Sequence, residues 1–185
     1  LEIKETELPT LLEFVKKENI DLTLALSDDP LALGIVDLFQ KEGLRIWGPT
    51  KAAAELEWSK AYAKDFMKRH SLPTANFETF RDFEKAKEYI LKQTFPTVIK
   101  ASGLALGKGV TIAGDEREAT EALENMMLKK TFGPAGEEVV IEEYCKGPEV
   151  SVHAFSDGKS YAMFPTAQDH KRIGEGNIGP NTGGM

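Results

Sequence analysis

Apolar positions in this chain recur at two alternating periods, which predicts helices and strands in turn from Leu8 onward. Leu8, Leu11, Leu12 and Val15 share one face of a helix over 8–17, with Pro9 near its first turn, where its missing N–H costs little. Asp21 to Leu26 is a short apolar, strand-like run. Asp28–Asp29–Pro30 opens a second helix through Leu31, Ile35, Leu38 and Phe39, which Gly43 ends. Leu44 to Trp47 is another short strand, closed by Gly48–Pro49. This helix–strand alternation predicts the trailing part of a parallel α/β sheet whose first strand lies outside the chain.

A single uninterrupted helix, rich in Ala, Glu, Leu and Lys, is expected over 51–70, with an extended segment opening at Pro73–Phe77. A helix from Phe83 to Gln93 is stopped by Pro96. Strands follow at Thr97–Ala101 and Val110–Ala113 around a glycine loop, then a helix from Glu116 to Lys130. Two more strands, Glu138–Tyr144 and Glu149–Ser156, are separated by Lys146–Gly147–Pro148. Asp157–Gly158 then turns into an extended run, Tyr161–Pro165. Residues 75–145 therefore predict a small α+β unit with an antiparallel sheet.

Composition narrows the function classes. The net charge of −7 argues against a nucleic-acid surface, which needs a basic field. No apolar run approaches the roughly 20 residues that span a bilayer, and the acidic N-terminus is unlike a signal peptide. The single cysteine, Cys145, excludes an internal disulfide framework and fits a reducing cytoplasm. Set in a strand-like run, it is expected to be a small buried hydrophobe.

Three segments carry candidate chemistry. In VIKASGLALGKGV (98–110), a strand delivers Lys100 to a loop holding Gly103, Gly107, Lys108 and Gly109. Two lysines and unobstructed backbone N–H groups suit a polyphosphate. The spacing fits neither a P-loop nor the dinucleotide fingerprint, which leaves a strand–loop–strand phosphate cover, or a mobile hairpin with solvated lysines. In VVIEEYCKGPEVS (139–151), an apolar strand runs into Glu142 and Glu143, with Glu149 beyond the Gly147–Pro148 break. Backbone at such a strand end suits an adenine edge and a nearby carboxylate suits ribose hydroxyls; the bland alternative is three solvated glutamates. QDHKRIGEGNIGPNTGGM (168–185) places Asp169, His170, Lys171 and Arg172 before a glycine-rich run, a pattern suited to anion capture. Lys60, judged alone, reads as an ordinary surface lysine. His153 is expected in a strand as a packed or hydrogen-bonded residue, His170 as an orienting group, and His70 at a helix end.

Taken in order, these segments resemble the ATP-grasp ligases, and within them the phosphoribosylamine–glycine ligases. The resemblance runs through Gly48–Pro49, Ala52–Ala53, Leu56–Glu57, Ser59–Lys60, Ala63–Lys64–Asp65–Phe66–Met67 and Leu72–Pro73–Thr74–Ala75. It continues through Lys100–Ala101, Gly103–Leu104–Ala105, Gly107–Lys108–Gly109–Val110 and Val140–Ile141–Glu142–Glu143. Gln168–Asp169–His170–Lys171–Arg172 and Gly179–Pro180–Asn181–Thr182–Gly183–Gly184–Met185 complete it.

The resemblance implies a fold of mixed α/β and α+β type: an ATP-grasp fold in part, preceded by the trailing part of an N-terminal parallel α/β domain. The expected divisions are 1–48 for that domain, 49–74 for a helical link, 75–145 for the lid subdomain and 146–185 for the start of the core. It implies an ATP-dependent carbon–nitrogen ligase of purine biosynthesis that joins glycine to 5-phosphoribosylamine through a glycyl phosphate. The alternatives are another ATP-grasp carboxylate–amine ligase and a non-catalytic ATP-binding module.

Carried over residue by residue, Lys60 and Lys100 face ATP phosphates, with Lys100 and Arg172 the catalytic pair. Gly103, Gly107, Lys108 and Gly109 belong to the lid. Glu142, Glu143 and Tyr144 lie on the adenine side, and Glu149 faces the ribose. Asp169, Lys171, Arg172, Asn181, Thr182, Gly183 and Gly184 face the amine substrate and glycine. ATP is the expected cofactor with Mg2+ (or Mn2+), whose ligands are expected beyond Met185, so no metal ligand is assigned and the segment alone is expected to be inactive. The expected partners are small molecules only, with neither nucleic acid nor membrane, on a monomer in the cytoplasm. The family carries Asp where Ser102 stands, and acidic residues where Gly174–Glu175–Gly176–Asn177 runs.

Overall fold

The computed structural model describes residues 2–105, 107–170, 172–176 and 178–181. It divides into two compact units, Leu1–Tyr144 and Cys145–Met185.

The first unit opens with α1 (Leu8–Lys17), whose Leu8 and Val15 are buried, and β1 (Thr23–Leu24). Next come α2 (Asp28–Leu33), α3 (Ile35–Lys41) and β2 (Ile46–Trp47), which pairs parallel with β1, as the sequence pattern predicts. Leu8, Val15, Ala25, Ile35, Val36 and Phe39 form the core here. The helix expected to run from Asp28 toward Gly43 is broken at Gly34, whose φ of +92° is open to glycine and strained for other residues. The break lets Asp37 of α3 accept a 2.7 Å bond from the Lys51 backbone N–H, the first residue of the next helix.

The helix expected to run unbroken over 51–70 is two helices, α4 (Lys51–Trp58) and α5 (Lys60–Arg69). Ser59 between them is extended (φ −120°, ψ 101°) and its side chain accepts from Tyr62 N–H, so it caps α5. High helix propensity on both sides hid this break, since no Gly or Pro marks it.

Four strands then make an antiparallel sheet in the order β3 (Phe77–Phe80), β6 (Val139–Glu143), β4 (Thr97–Ala101), β5 (Val110–Ala113). Residues alternate in direction along a strand. Ile99, Ala101, Val139 and Ile141 therefore point to one face, where they pack with Ala86 and Ile90 of α6 (Phe83–Ile90) and Ala119, Ala122 and Leu123 of α7 (Glu116–Leu123). Lys100, Val140 and Glu142 take the opposite face. Helix α6 stops three residues before the expected Gln93, and α7 passes at Glu124 into a wider π-helical turn ending at Leu128.

Strand β6 ends at Glu143, opposite Thr97, where its neighbours' ladders also end. Cys145, expected in that strand and buried, therefore lies beyond it and is exposed. In the second unit, β7 (Ala154–Ser156) pairs antiparallel with β8 (Tyr161–Met163) around a turn in which Asp157 accepts from the N–H groups of Lys159 and Ser160. The strand expected over Glu149–Ser156 is reduced to β7 and a single bridge between Ser151 and Ala167. His153 immediately precedes β7 and is exposed rather than packed, although its carbonyl still accepts from Phe164 N–H at 2.9 Å. β9 (Arg172–Gly174) pairs antiparallel with β10 (Ile178–Asn181).

Ile99 is fully buried and Ile112, on edge strand β5, is 51% exposed. Ile99→Ala is expected to cost about 2–5 kcal/mol, and Ile112→Ala much less, in urea unfolding followed by circular dichroism.

Candidate functional site

The start of α5 meets the glycine loop through three bonds. Lys60 N–H donates to the Ser102 carbonyl at 2.8 Å, and Ala61 N–H donates to Ser102 Oγ at 3.0 Å. The Lys60 ammonium donates to the Gly103 carbonyl at 3.3 Å. Ser102 is buried, so it supplies α5 with a second cap from outside the helix. Ser102 N–H in turn donates to Glu138 O, and Gly103 N–H to Ala135 O. The loop closes on itself at Gly109, where a Cβ would stand 2.7 Å from Ala105 Cβ.

Lys60, Lys64, Lys100, Leu104, Ala105, Gly107 and Val140 line a cleft of about 800 Å3. Glu5, Leu26, Ser27, Asp28, Asp29 and Glu57 line it as well. Half-burial pushes the Lys60 amine below its usual range, and the neighbouring Lys100 charge adds to this; Glu57 and Asp28 oppose it only in part. A half-desolvated ammonium beside another cation favours a multiply charged anion.

The sequence singled out Glu142 as an adenine-side residue, with solvated glutamates as the bland alternative. Its side chain is 7% exposed and forms ion pairs with both Lys64 and Lys100, so for Glu142 the bland alternative fails. Thr97 Oγ1 donates to its carbonyl at 3.0 Å. Glu143 accepts from the Asn76 backbone N–H at 3.1 Å and from its amide at 2.9 Å, which holds its carboxyl below the ordinary range. Its side chain therefore ties β6 to the chain entering β3. Tyr144 is exposed.

Lys60, Lys100 and Gly107 thus meet at one cleft, joined to Gly103 and Gly109 through the loop. Lys108 in the same loop is exposed and does not line it. Lys60, which reads alone as a surface lysine, is half-buried within this site. Glu149, exposed, and Asp169, half-buried, belong to the second unit, as do Arg172 on β9 and Asn181 on β10. Lys171, Thr182, Gly183 and Gly184 lie outside the described residues, as do the side chains of Arg172 and Asn181. Sequence reasoning gave no role to Lys64, Thr74 or Asn76. The signal for Lys64 was its spacing: four residues after Lys60, it shares that helix face. Among the described residues no group of three His, Cys, Asp or Glu side chains converges to hold a metal ion. Nor is any helix among them long and apolar enough to cross a membrane.

Residues 1–57 match the phosphoribosylglycinamide synthetase N domain, and residues 58–185 match the phosphoribosylglycinamide synthetase ATP-grasp (A) domain. A phosphoribosylamine–glycine ligase of Chlorobaculum tepidum is 52% identical over 184 residues, covering 99% of this chain and 43% of that protein. One from Streptococcus pyogenes serotype M1 is 54% identical over 175 residues, covering 95% of this chain and 42% of its own length. The crystal structure of a phosphoribosylamine–glycine ligase from Thermotoga maritima superposes with a TM-score of 0.79 at 36% identity, over 94% of this chain and 42% of that one. The chain thus has the ATP-grasp architecture and spans about two fifths of the length of these relatives.

Ser102→Ala is expected to cost about 1 kcal/mol by leaving the Ala61 N–H without its acceptor, whereas Ser102→Asp keeps most of the stability. Urea denaturation of the two variants checks the difference.

Proposed function

This chain belongs to the phosphoribosylglycinamide synthetase family, and from that premise we propose that it serves an ATP-dependent ligase joining glycine to 5-phosphoribosylamine. The product is glycinamide ribonucleotide, and the step belongs to purine biosynthesis. The observation that carries the reading is the cleft in which Lys60 and Lys100 stand beside the Gly103–Gly109 loop.

The cleft takes the ATP phosphates. Lys60 and Lys100 neutralise charge on the transferred group, and the loop amides cover it. The γ-phosphoryl group passes to the glycine carboxylate, forming glycyl phosphate and ADP. The amine of 5-phosphoribosylamine attacks the acyl carbon, forming the C–N bond as the C–O bond to phosphate breaks. Phosphate leaves and the amine gives up a proton. Such chemistry relies on positioning and charge neutralisation and needs no enzyme nucleophile. The end of β6 and the residue after it, Glu142 to Tyr144, present backbone to the adenine, and Glu149 meets the ribose. Asp169, Lys171, Arg172 and the 181–184 run face the amine substrate and glycine. A divalent cation, Mg2+ or Mn2+, accompanies ATP in this reading; the described residues offer it no three-ligand cluster, and no step here is assigned to it.

The divisions at 1–48, 49–74, 75–145 and 146–185, a monomeric state and a cytoplasmic setting belong to the same proposal. The two lysines hydrogen-bond a charged group, so Lys100→Ala is expected to weaken ATP binding about 10- to 100-fold in calorimetric titration, and to lower the melting temperature without unfolding the chain, because buried Glu142 loses one of its two cations and keeps Lys64. Unchanged ATP affinity would count against the assignment of Lys100. The ligase activity is tested in a polypeptide completed to the length of the relatives. Phosphate release should require ATP, glycine and 5-phosphoribosylamine together, and release independent of glycine sinks the reading.

A further inference from the structure

We propose that Lys64 is a positioning residue for the nucleotide phosphates, acting on Lys100 through the shared carboxylate of Glu142. This rests on the reading of the cleft as a nucleotide site.

Lys60 and Lys64 lie one helical turn apart on α5, yet their ammonium groups have different surroundings. Lys60 meets a carbonyl of the glycine loop at 3.3 Å. Lys64, only 12% exposed, is fixed from three sides. It pairs with Glu142 Oε2, donates to Thr74 Oγ1 at 2.7 Å, and stands 5.4 Å from the centroid of the Phe77 ring. A cation held in this way is poorly placed to follow a ligand. Its effect is on the carboxylate.

Glu142 gives one oxygen to each lysine, Oε2 to Lys64 and Oε1 to Lys100. The sheet sets this up: Lys100 is directly opposite Val140, so Glu142, two residues further along β6, is its diagonal neighbour on the same face. Lys100 keeps the greater exposure of the two lysines, 28%, and lines the cleft. A buried carboxylate with a single cationic partner would hold that partner closely, because solvent screens the pair little. Divided between two ammonium groups, the same charge leaves Lys100 oriented by Glu142 and still carrying net positive potential toward the cleft. Glu5, Asp28, Asp29 and Glu57 also line the cleft, so an anionic ligand there depends on Lys100 keeping its positive charge uncancelled. Lys64 thus acts as a counter-cation that keeps Glu142 from neutralising Lys100.

The test compares ATP and adenosine binding to the 185-residue chain by calorimetry. Lys64→Met should weaken ATP about tenfold or more, the scale of one charge-assisted hydrogen bond, and leave adenosine within about twofold. Lys64→Arg should restore most of the ATP affinity. Equal loss of ATP and adenosine would reveal a merely structural role, and loss of neither would also overturn the proposal. If Lys64→Met does not fold, Lys64→Gln, which keeps a donor for Thr74, gives the same comparison. A second readout needs no nucleotide. In the free protein, NMR should show slowly exchanging ammonium signals for Lys64 and Lys100 that vanish in Glu142→Gln. Their absence from the wild-type protein overturns the shared pair. Intact signals in a protein that binds no ATP instead overturn the nucleotide reading.

Discussion

The cleft depends on where helix α5 begins. Ser59 and Ser102 supply acceptors to the first N–H groups of that helix, one from the preceding residue and one from a loop 41 positions beyond Ala61. A helix start left without such acceptors is unfavourable when buried. The junction therefore fixes two things at once, the axis of α5 and the first residue of the glycine loop. Lys60 is the first residue of the helix and Gly103 is the next residue of the loop, so the same contact that caps the helix brings the Lys60 ammonium to the Gly103 carbonyl. Lys64 follows one turn later. Continuing α4 through Ser59 would remove the cap and redirect both lysines.

The sheet supplies the complementary constraint. One face of β4 and β6 carries Ile99, Ala101, Val139 and Ile141 into a core with α6 and α7. The alternation that buries these residues necessarily turns Lys100, Val140 and Glu142 the other way. Ionic groups therefore meet on a rigid surface, at a register fixed by apolar packing on the opposite side. The cost of burying Glu142 is offset locally by two lysines, Lys64 from α5 and Lys100 from β4.

Much of this was legible in the chain itself. The face of α1, the parallel pairing of β1 and β2, and the limits of β4 and β5 follow from periodicity and turn residues, because each is set by neighbours nearby in sequence. The glycine loop between two lysines was legible for the same reason. The breaks at Gly34 and Ser59 were harder. Gly34 carried a glycine signal inside an otherwise regular apolar pattern. Ser59 carried only a capping-type side chain in a run of strong helix formers, and its reinforcement comes from Ser102, which no local pattern reveals. Glu142 looked like any strand-end acid; its two partners arrive from a helix and another strand. The position of Cys145 turned on where the partner strands run out, a property of the sheet rather than of the residue.

The β4–β5 loop is attached unequally at its two ends. Its first residues leave a strand flanked on both sides and are bonded to α5, to Glu138 and to Ala135. Its last residues run into β5, at the margin of the sheet, where β4 is its one strand neighbour among the described residues. The Gly109 end is held as well, but by the base of the loop itself: Ala101 N–H donates to the Gly109 carbonyl at 2.8 Å, and Gly109 is buried. The loop is therefore pinned at one end by three other segments and at the other by its own strand, so that the backbone nearest Lys60 is placed by elements outside the loop.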